Sequence, residues 1–333
     1  MNKSVNILSR ANSKKDKYNI LTFDTHERYQ SQMAKTGHNF YSFRFENNGQ
    51  GQKTWDLAYS KIPDNYYILP KNSIYAGLDF DMILAQSRFG QIQLAANLKN
   101  MLGLPVILLE HTLPIDSWPS DYMKLMKSLS GDINVFISDY SKGRWGFNNG
   151  LTVRHSVDSD IFCPDENIEK ESYILSVVND FINRDYCCNF SGWKRITEGL
   201  PVRLVGNTPG LSKAASSVPE LVNEYRKAKV FLNTSTVSPV PMSLIEAMSC
   251  GCAVVSTATC MIPEIITNGV NGFISNNEEE LRDYTKLLLK DGDLAKKLGS
   301  KARETILTRF SMDDFINTWN SVFDLTYNLK GRI

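Results

Sequence analysis

The stretch "KVFLNTSTVSPVPMSLIEAMSCGCAVVS" (residues 229–256) passes from strand to loop to helix and back to strand. "KVFLNTS" is a short apolar run of strand formers. "TVSPVPM" holds Pro239 and Pro241, which lack N–H donors and fix φ, so it reads as the loop leaving the strand's carboxyl end. "SLIEAMSC" reads as a helix stopped by Gly251, and "CAVVST" as the next strand. In an open α/β sheet, ligands bind outside the carboxyl ends of strands. A helix starting there turns its N–H groups and positive dipole end to the crevice, which suits phosphate. Ser243 and Glu246 stand at this helix mouth. By spacing alone, Ser243-x-x-Glu246 is a capping box in which Glu246 bonds the Ser243 amide. The alternative is a carboxylate that grips ligand hydroxyls from the first turn.

The same alternation runs outward in both directions. Upstream, "YNILTF" (18–23), "NFYSFRF" (39–45), "FDMILAQ" (80–86), "PVILLE" (105–110) and "INVFISD" (133–139) are strand-like. Helical stretches lie at 25–37, ending at Gly37, and near 90–102. The polar "CPDENIEKES" (163–172) lacks apolar periodicity and reads as a linker. The pattern restarts with "YILSVV" (173–178), "PVRLVG" (201–206), the opening stretch and "GFIS" (272–275). Three helical segments close the chain at 277–290, 292–308 and 312–328, the last with Ser311 and Asp314 at capping-box positions. Apolar strands alternating with helices predict parallel sheets covered on both faces. The expectation is two doubly wound domains in tandem, meeting at a cleft near 163–172.

The bounds agree. A chain of 333 residues is long for one core. Its 42% hydrophobic and 22% charged residues are those of an ordinary globular protein. A net charge of +1 demands neither nucleic acid nor a membrane surface. Residues 1–53 are locally basic, with nine Lys/Arg against four Asp/Glu, which reads either as a solvated surface or as a patch for an anionic partner. None of the six cysteines forms a CxxC pair, and Cys250 and Cys252 flank a turn where packing is the simpler role. The N-terminus shows no signal-peptide core and no run approaches ~18 apolar residues, so a cytoplasmic protein without integral membrane association is expected.

"PMSLIEAMSCGCAVVSTATCMIPEIITNGVNGFI" (241–274) resembles the donor-binding segment of the retaining GT-B glycosyltransferases (glycosyl transferases group 1), which use nucleotide-diphosphate sugars. The family shows Glu-x7-Glu, then Ala-Met, a small residue, Cys-Gly and a Val-Val strand, and later Pro-Glu-Ile-Ile and Gly-x-x-Gly-Phe. Weaker likeness covers 23–43, the middle strands with His111, residues 136–166, and "ILSVVNDFINRDY" (174–186), where the family has Arg-x4-Lys. The resemblance implies a GT-B fold: an N-terminal Rossmann-like acceptor-side domain over 1–165, a nucleotide-sugar-binding domain over 166–310, and a helix over 311–333 crossing back to the first domain. The two parallel sheets would face each other across a cleft.

Residue by residue, the resemblance overrides the capping reading of Glu246 and makes it the ligand of the nucleotide ribose. The family's diphosphate-binding Arg is Asn179 here and its Lys is Arg184, so Arg184 becomes the diphosphate cation, with an ordinary surface arginine as the alternative. The first glutamate of Glu-x7-Glu is Ser238, and its Gly-Phe-Gly is Pro239-Val240-Pro241. Donor binding then falls to Asn179, Gly206, Asn207, Ser238, Val240, Met242, Ser243, Leu244 and Glu246. His111 either lines the cleft beside the transferred sugar or is a strand-end histidine satisfied by backbone. Thr25, His26, Glu27 and Arg28 either line the acceptor side or cap a helix. Lys194 and Arg195 read as solvated.

The implied reaction moves a hexosyl or pentosyl group to an acceptor hydroxyl with retention of anomeric configuration. The leaving diphosphate takes the acceptor's proton, and the catalytic burden rests on Arg184, His111, Glu246 and helix N–H groups. No Asp-x-Asp motif stands where the family would place one, so metal independence is expected, with no cofactor besides the donor substrate. "THERYQSQMAKTGHNF" and "NRDYCCNF" also resemble glycosyltransferase-like proteins of bacteriophages. That resemblance implies an alternative, DNA modification at a hydroxymethylated base in a host cytoplasm. A third reading, of another class, is a catalytically silent nucleotide-sugar or glycan-binding protein.

Overall fold

The computed structural model describes residues 16–44, 55, 57, 60–74 and 77–330. Much of the basic segment 1–53, namely 1–15 and 45–53, lies outside the described residues. The chain forms two compact units, Met1–Arg154 with Asp313–Ile333, and His155–Met312.

The first unit is built on β1 (Asn19–Thr22), β2 (Asn39–Ser42), β3 (Tyr66–Ile68), β4 (Met82–Ala85), β5 (Val106–Glu110), β6 (Ile133–Phe136) and β7 (Leu151–Thr152). They form one sheet in the order β3-β2-β1-β4-β5-β6-β7, and every pair is parallel. Every residue of β4 and β5 is buried, which is why these strands read as unbroken apolar runs. The order reverses direction between β1 and β4, so the topological switch point of this sheet lies at their carboxyl ends. Strands β3 and β7 are short edge pieces that the apolar pattern did not announce.

The helix Met312–Tyr327 contributes to this unit's core. Trp319 and Phe323 are fully buried, and the Trp319 indole N–H donates to the Tyr29 hydroxyl at 3.0 Å. His38 ties the helix to β1. Its Nδ1 accepts the Tyr18 amide at 3.2 Å, which leaves the proton on Nε2 to meet Asn320 Oδ1 at 3.1 Å.

The second unit holds β8 (Glu171–Val177), β9 (Val202–Val205), β10 (Ala228–Asn233), β11 (Ala253–Ser256) and β12 (Phe273–Ile274), all parallel, in the order β12-β11-β10-β8-β9. Its switch point lies between β8 and β10. The stretch read as a linker starts inside this unit. Just before it Phe162 meets Tyr225 edge-on with ring centroids 6.2 Å apart, the Arg226 guanidinium donates to the Cys163 carbonyl at 2.7 Å, and β8 opens at Glu171. Glu171 and Ser172 are exposed although their backbone begins the strand, so they carry no apolar signal. Helices at Glu278–Lys290 and Gly292–Arg309 follow the sheet.

One close approach positions the helix Met242–Ser249. Gly251, at φ +71°, turns the chain into β11, and a methyl group on Gly299 would lie 2.2 Å from the Gly251 carbonyl oxygen. Neither neighbour of that methyl can rotate away, because both are backbone. Gly299→Ala is expected to cost about 1–3 kcal/mol as an overpacked contact. Gly292→Ala, at a position with open space around it, serves as the control in chemical unfolding.

A second expectation concerns acid. Burial holds the His38 imidazole below its ordinary value of 6.5, with the Asn320 bond partly opposing. The folded unit therefore keeps the neutral ring while the unfolded chain takes up a proton first. The stability contributed by His38 is complete above about pH 6.5 and is lost as pH falls from there through the lower folded value. Thermal melting between pH 7.5 and 5 should show a steeper acid loss for the wild type than for His38→Gln.

Candidate functional site

In the second unit the sequence-selected residues gather at the carboxyl ends of β8, β9 and β10. The helix after β10 begins at Met242, with Pro241 as its N-cap and no side-chain cap bond. The capping box is therefore not the local geometry. Ser243 is the second helical residue, and Glu246 the fifth, two residues deeper than spacing suggested. The reason is Pro241, whose φ of −67° starts the helix directly behind it. Glu246 thus stands in the second turn of the helix rather than at its mouth. Its carboxylate is 2% exposed, and Oε2 accepts the Tyr225 hydroxyl at 2.9 Å. Val240 and Leu244 are buried, so their contribution to a ligand is limited to backbone. Ser238, Met242 and Ser243 are half-buried around them. Among the described residues the Met242 and Ser243 amides take no backbone partner, as expected of a helix start.

The loop ahead of this helix is pinned from below. Asn233 Nδ2 donates to Ser256 Oγ at 2.8 Å, Thr234 Oγ1 to the Cys188 carbonyl at 2.9 Å, and the Thr236 backbone amide to the Cys187 carbonyl at 2.8 Å. Those two cysteines belong to the short helix Asp185–Cys188, whose N-cap is Arg184. Arg184 is exposed, and its guanidinium reaches the Asn179 carbonyl at 3.4 Å. Arg184 and the 233–242 loop are thus brought to the same switch point. Asn179 has a different use: its side-chain oxygen accepts the Asn207 amide at 2.8 Å and ties the end of β8 to the end of β9. Gly206 allows that tie, since a methyl there would sit 2.0 Å from the Val178 carbonyl oxygen. Arg195 pairs bidentately with Glu278 on the exposed surface, and Lys194 lies over the Phe190 ring.

In the first unit, His26 and His111 meet edge-on with ring centroids 4.3 Å apart, and Tyr29 lies 4.7 Å from His111. The helix Glu27–Ala34 starts after His26 without a side-chain cap bond, so Thr25–Arg28 do not cap it in that manner. Thr25 receives the Gln91 side-chain amide, Glu27 is buried, and Arg28 is half-buried. His111 follows Glu110, whose carboxylate accepts the Thr112 amide at 2.8 Å and hydroxyl at 2.7 Å. Glu110 also meets Arg88 at 3.1 Å, with both side chains essentially unexposed. Burial pushes the Glu110 carboxyl up and the Arg88 guanidinium down, each partly countered by the partner. The Arg88 cation lies 4.7 Å over both Trp145 and Phe147. Nothing in the local sequence announces Arg88 or Tyr225, because their partners are distant in the chain.

Residues 213–305 match the family model described as Glycosyl transferases group 1. The chain is 24% identical over 271 residues to an uncharacterized glycosyltransferase of Methanocaldococcus jannaschii, covering 72% of this chain and 74% of that protein. It is 29% identical over 82 residues to N-acetyl-alpha-D-glucosaminyl L-malate synthase of Bacillus anthracis, a match covering 24% of this chain and 22% of the synthase. In fold it is similar to Anabaena HepE solved with UDP, with a TM-score of 0.72 at 14% identity, covering 93% of this chain and 100% of that one. HepE has also been solved with UDP-glucose. The chain therefore has the GT-B fold, and the match over residues 213–305 together with relatives named as glycosyltransferases marks it as a transferase enzyme. Among the described residues no helix is long and apolar enough to cross a membrane.

Tyr225→Phe removes a donor from a buried carboxylate. It is expected to destabilise the second unit by about 1–3 kcal/mol in thermal or urea unfolding. An unchanged midpoint would show that Glu246 is satisfied without Tyr225.

Proposed function

We propose that the chain transfers a sugar from a nucleotide-diphosphate sugar to an acceptor hydroxyl with retention of anomeric configuration. One observation carries this reading: Arg184 and the mouth of the helix Met242–Ser249 stand at the carboxyl ends of β8 and β10, the switch point of this unit, and that helix, which also carries Glu246, lies within the residues that match the family model. A diphosphate fits the Met242 and Ser243 amides and the Arg184 guanidinium. Glu246 serves as acceptor for ribose hydroxyls. As the bond from the sugar's anomeric carbon to the diphosphate oxygen breaks, a bond to the acceptor oxygen forms on the same face. The acceptor's proton passes to the departing diphosphate oxygen, and Arg184 and the amides stabilise the charge that develops there. His111 beside His26 is the first unit's candidate group near the sugar, and Thr25–Arg28 its candidate acceptor side.

Ser238 sets the donor question. Where the resembled family has a carboxylate, serine offers a shorter, uncharged acceptor, and Pro239 and Pro241 remove two N–H donors from the same loop. The donor accordingly departs from common hexoses such as UDP-glucose. Ser238 also favours a second reading, a nucleotide-sugar binder without turnover, which the same assays separate. Thermal shift against a panel of nucleoside diphosphates and their sugars, followed by donor turnover, is the test. Glu246→Gln and Arg184→Ala are each expected to weaken nucleotide binding or turnover about ten- to hundredfold, the worth of one charge-assisted hydrogen bond. Ser238→Glu is expected to gain hexose use. Binding of no panel member would overturn the transferase reading, and binding without turnover would select the silent binder. Adding hydroxymethylated duplex as acceptor tests DNA modification, whose activity would fall steeply with salt.

A further inference from the structure

Cys187 and Cys188 are adjacent thiols with sulfurs 3.7 Å apart, and each sits beneath a different part of the candidate donor site. The Cys187 carbonyl accepts the amides of Thr236 at 2.8 Å and Val237 at 3.2 Å, and the Cys188 carbonyl accepts Thr234 Oγ1 at 2.9 Å. On the other side, the amides of Cys187 and Cys188 donate to the Arg184 carbonyl at 3.1 and 2.8 Å. The dipeptide thus joins the 234–237 loop to Arg184 through its own backbone. We propose that Cys187 and Cys188 form a reversible dithiol switch, whose oxidation to an internal disulfide by a small-molecule disulfide loosens the 234–237 loop and Arg184 together.

The chemistry follows from sulfur and backbone geometry. The Cys187 thiol is pushed down to about 6, chiefly by the Cys188 S–H, with the Arg184 charge assisting, while Cys188 is pushed up. Cys187 is then the attacking thiolate. It displaces one thiolate from the small disulfide, giving a mixed disulfide. The Cys188 sulfur next attacks Cys187 and expels the second thiolate. Two protein thiols lose two electrons in all, the small disulfide gains them, and the protons of both cysteines end on the two released thiols. Both sulfurs are buried, but Arg184 and Tyr186 beside them are exposed, so the edge of the pair is open to a small reagent. Adjacent α-carbons stand about 3.8 Å apart across a trans peptide, short of the usual span of roughly 4.4–6.8 Å for a disulfide. Closing the bond therefore distorts the dipeptide, and the distortion falls on the carbonyls that hold Thr234, Thr236 and Val237. A strained bond of this kind is also readily reduced, which makes the change reversible.

The loss of nucleotide affinity rests on the donor reading above; the bond and the loop release do not. The test treats the full chain with glutathione disulfide, alkylates the remaining thiols and maps the tryptic peptide Asp185–Lys194. The expected peptide is lighter by two hydrogens and unalkylated, and dithiothreitol reverses it. Hydrogen exchange over 234–241 should rise on oxidation, and UDP affinity should fall about tenfold, as for a lost hydrogen bond. Cys188→Ser should give only the glutathione adduct. Full alkylation of both thiols in the folded, treated protein would overturn the proposal, as would a bond that forms without any change in exchange over 234–241. If reduced protein binds no UDP while bond and exchange behave as stated, the donor reading fails and the switch stands.

Discussion

The second unit is organised around the place where Gly299 meets the Gly251 carbonyl. Because neither residue carries a side chain there, the long helix Gly292–Arg309 passes directly against the turn that ends the helix Met242–Ser249. The same long helix sends the Arg303 guanidinium to the Ser249 carbonyl at 2.6 Å, satisfying an end that has no intrahelical partner. Ser249 Oγ in turn reaches the Phe162 carbonyl at 2.5 Å. A helix fixed so firmly at its far end can aim its first amides without support from a ligand. Tyr225 locks the one carboxylate along its length, and the loop before it is fastened to Cys187 and Cys188. The first amides are thus oriented by groups lying well behind them, a form of preorganisation that spares binding the cost of ordering the site.

What was legible in the sequence follows the direction of burial. Strands β4, β5, β10 and β11 are covered on both faces and show as apolar runs, as does β8 beyond its exposed Glu171 and Ser172, and the three closing helices fall within one residue or so of their expected limits. Strands β3 and β7 have three and two residues, too few for any period to register. The site divides in the same way. Glu246 and the loop at Ser238 were legible as candidates because one chain segment carries them together, and Arg184 because the separate segment 174–186 carries it. Tyr225, 21 residues before Glu246, was not, since its role exists only after β10 has brought the two side by side. Asn179 was recognisable as a departure from a pattern, but its use as a tie between the ends of β8 and β9 depends on Gly206 and Asn207, which approach it only in the sheet.

The Arg88–Glu110 pair illustrates a different cost. Removing both charges from water is expensive, and their attraction alone does not recover that cost. The pair is made tolerable by its surroundings: carbonyls of Met126 and Leu129 receive the guanidinium, Thr112 supplies two donors to the carboxylate, and aromatic faces cover the cation. The result is a rigid junction between the residue that ends β5 and the segment that follows β4. Either partner replaced alone would leave an uncompensated buried charge.

The first unit is assembled from two pieces of chain with the whole second unit between them. On a ribosome this has a definite consequence. Residues 155–312 are all synthesised before Trp319 and Phe323, so throughout that time the first unit lacks the side chains that cover Tyr29, His38 and Phe40. Until the helix Met312–Tyr327 is made, the nascent first sheet presents an open apolar face, the kind of surface that chaperones hold and that aggregates form from. The helix Met312–Tyr327 is therefore the step that completes the first unit, and truncations that remove it should be cleared by proteolysis rather than accumulate as a partly active enzyme.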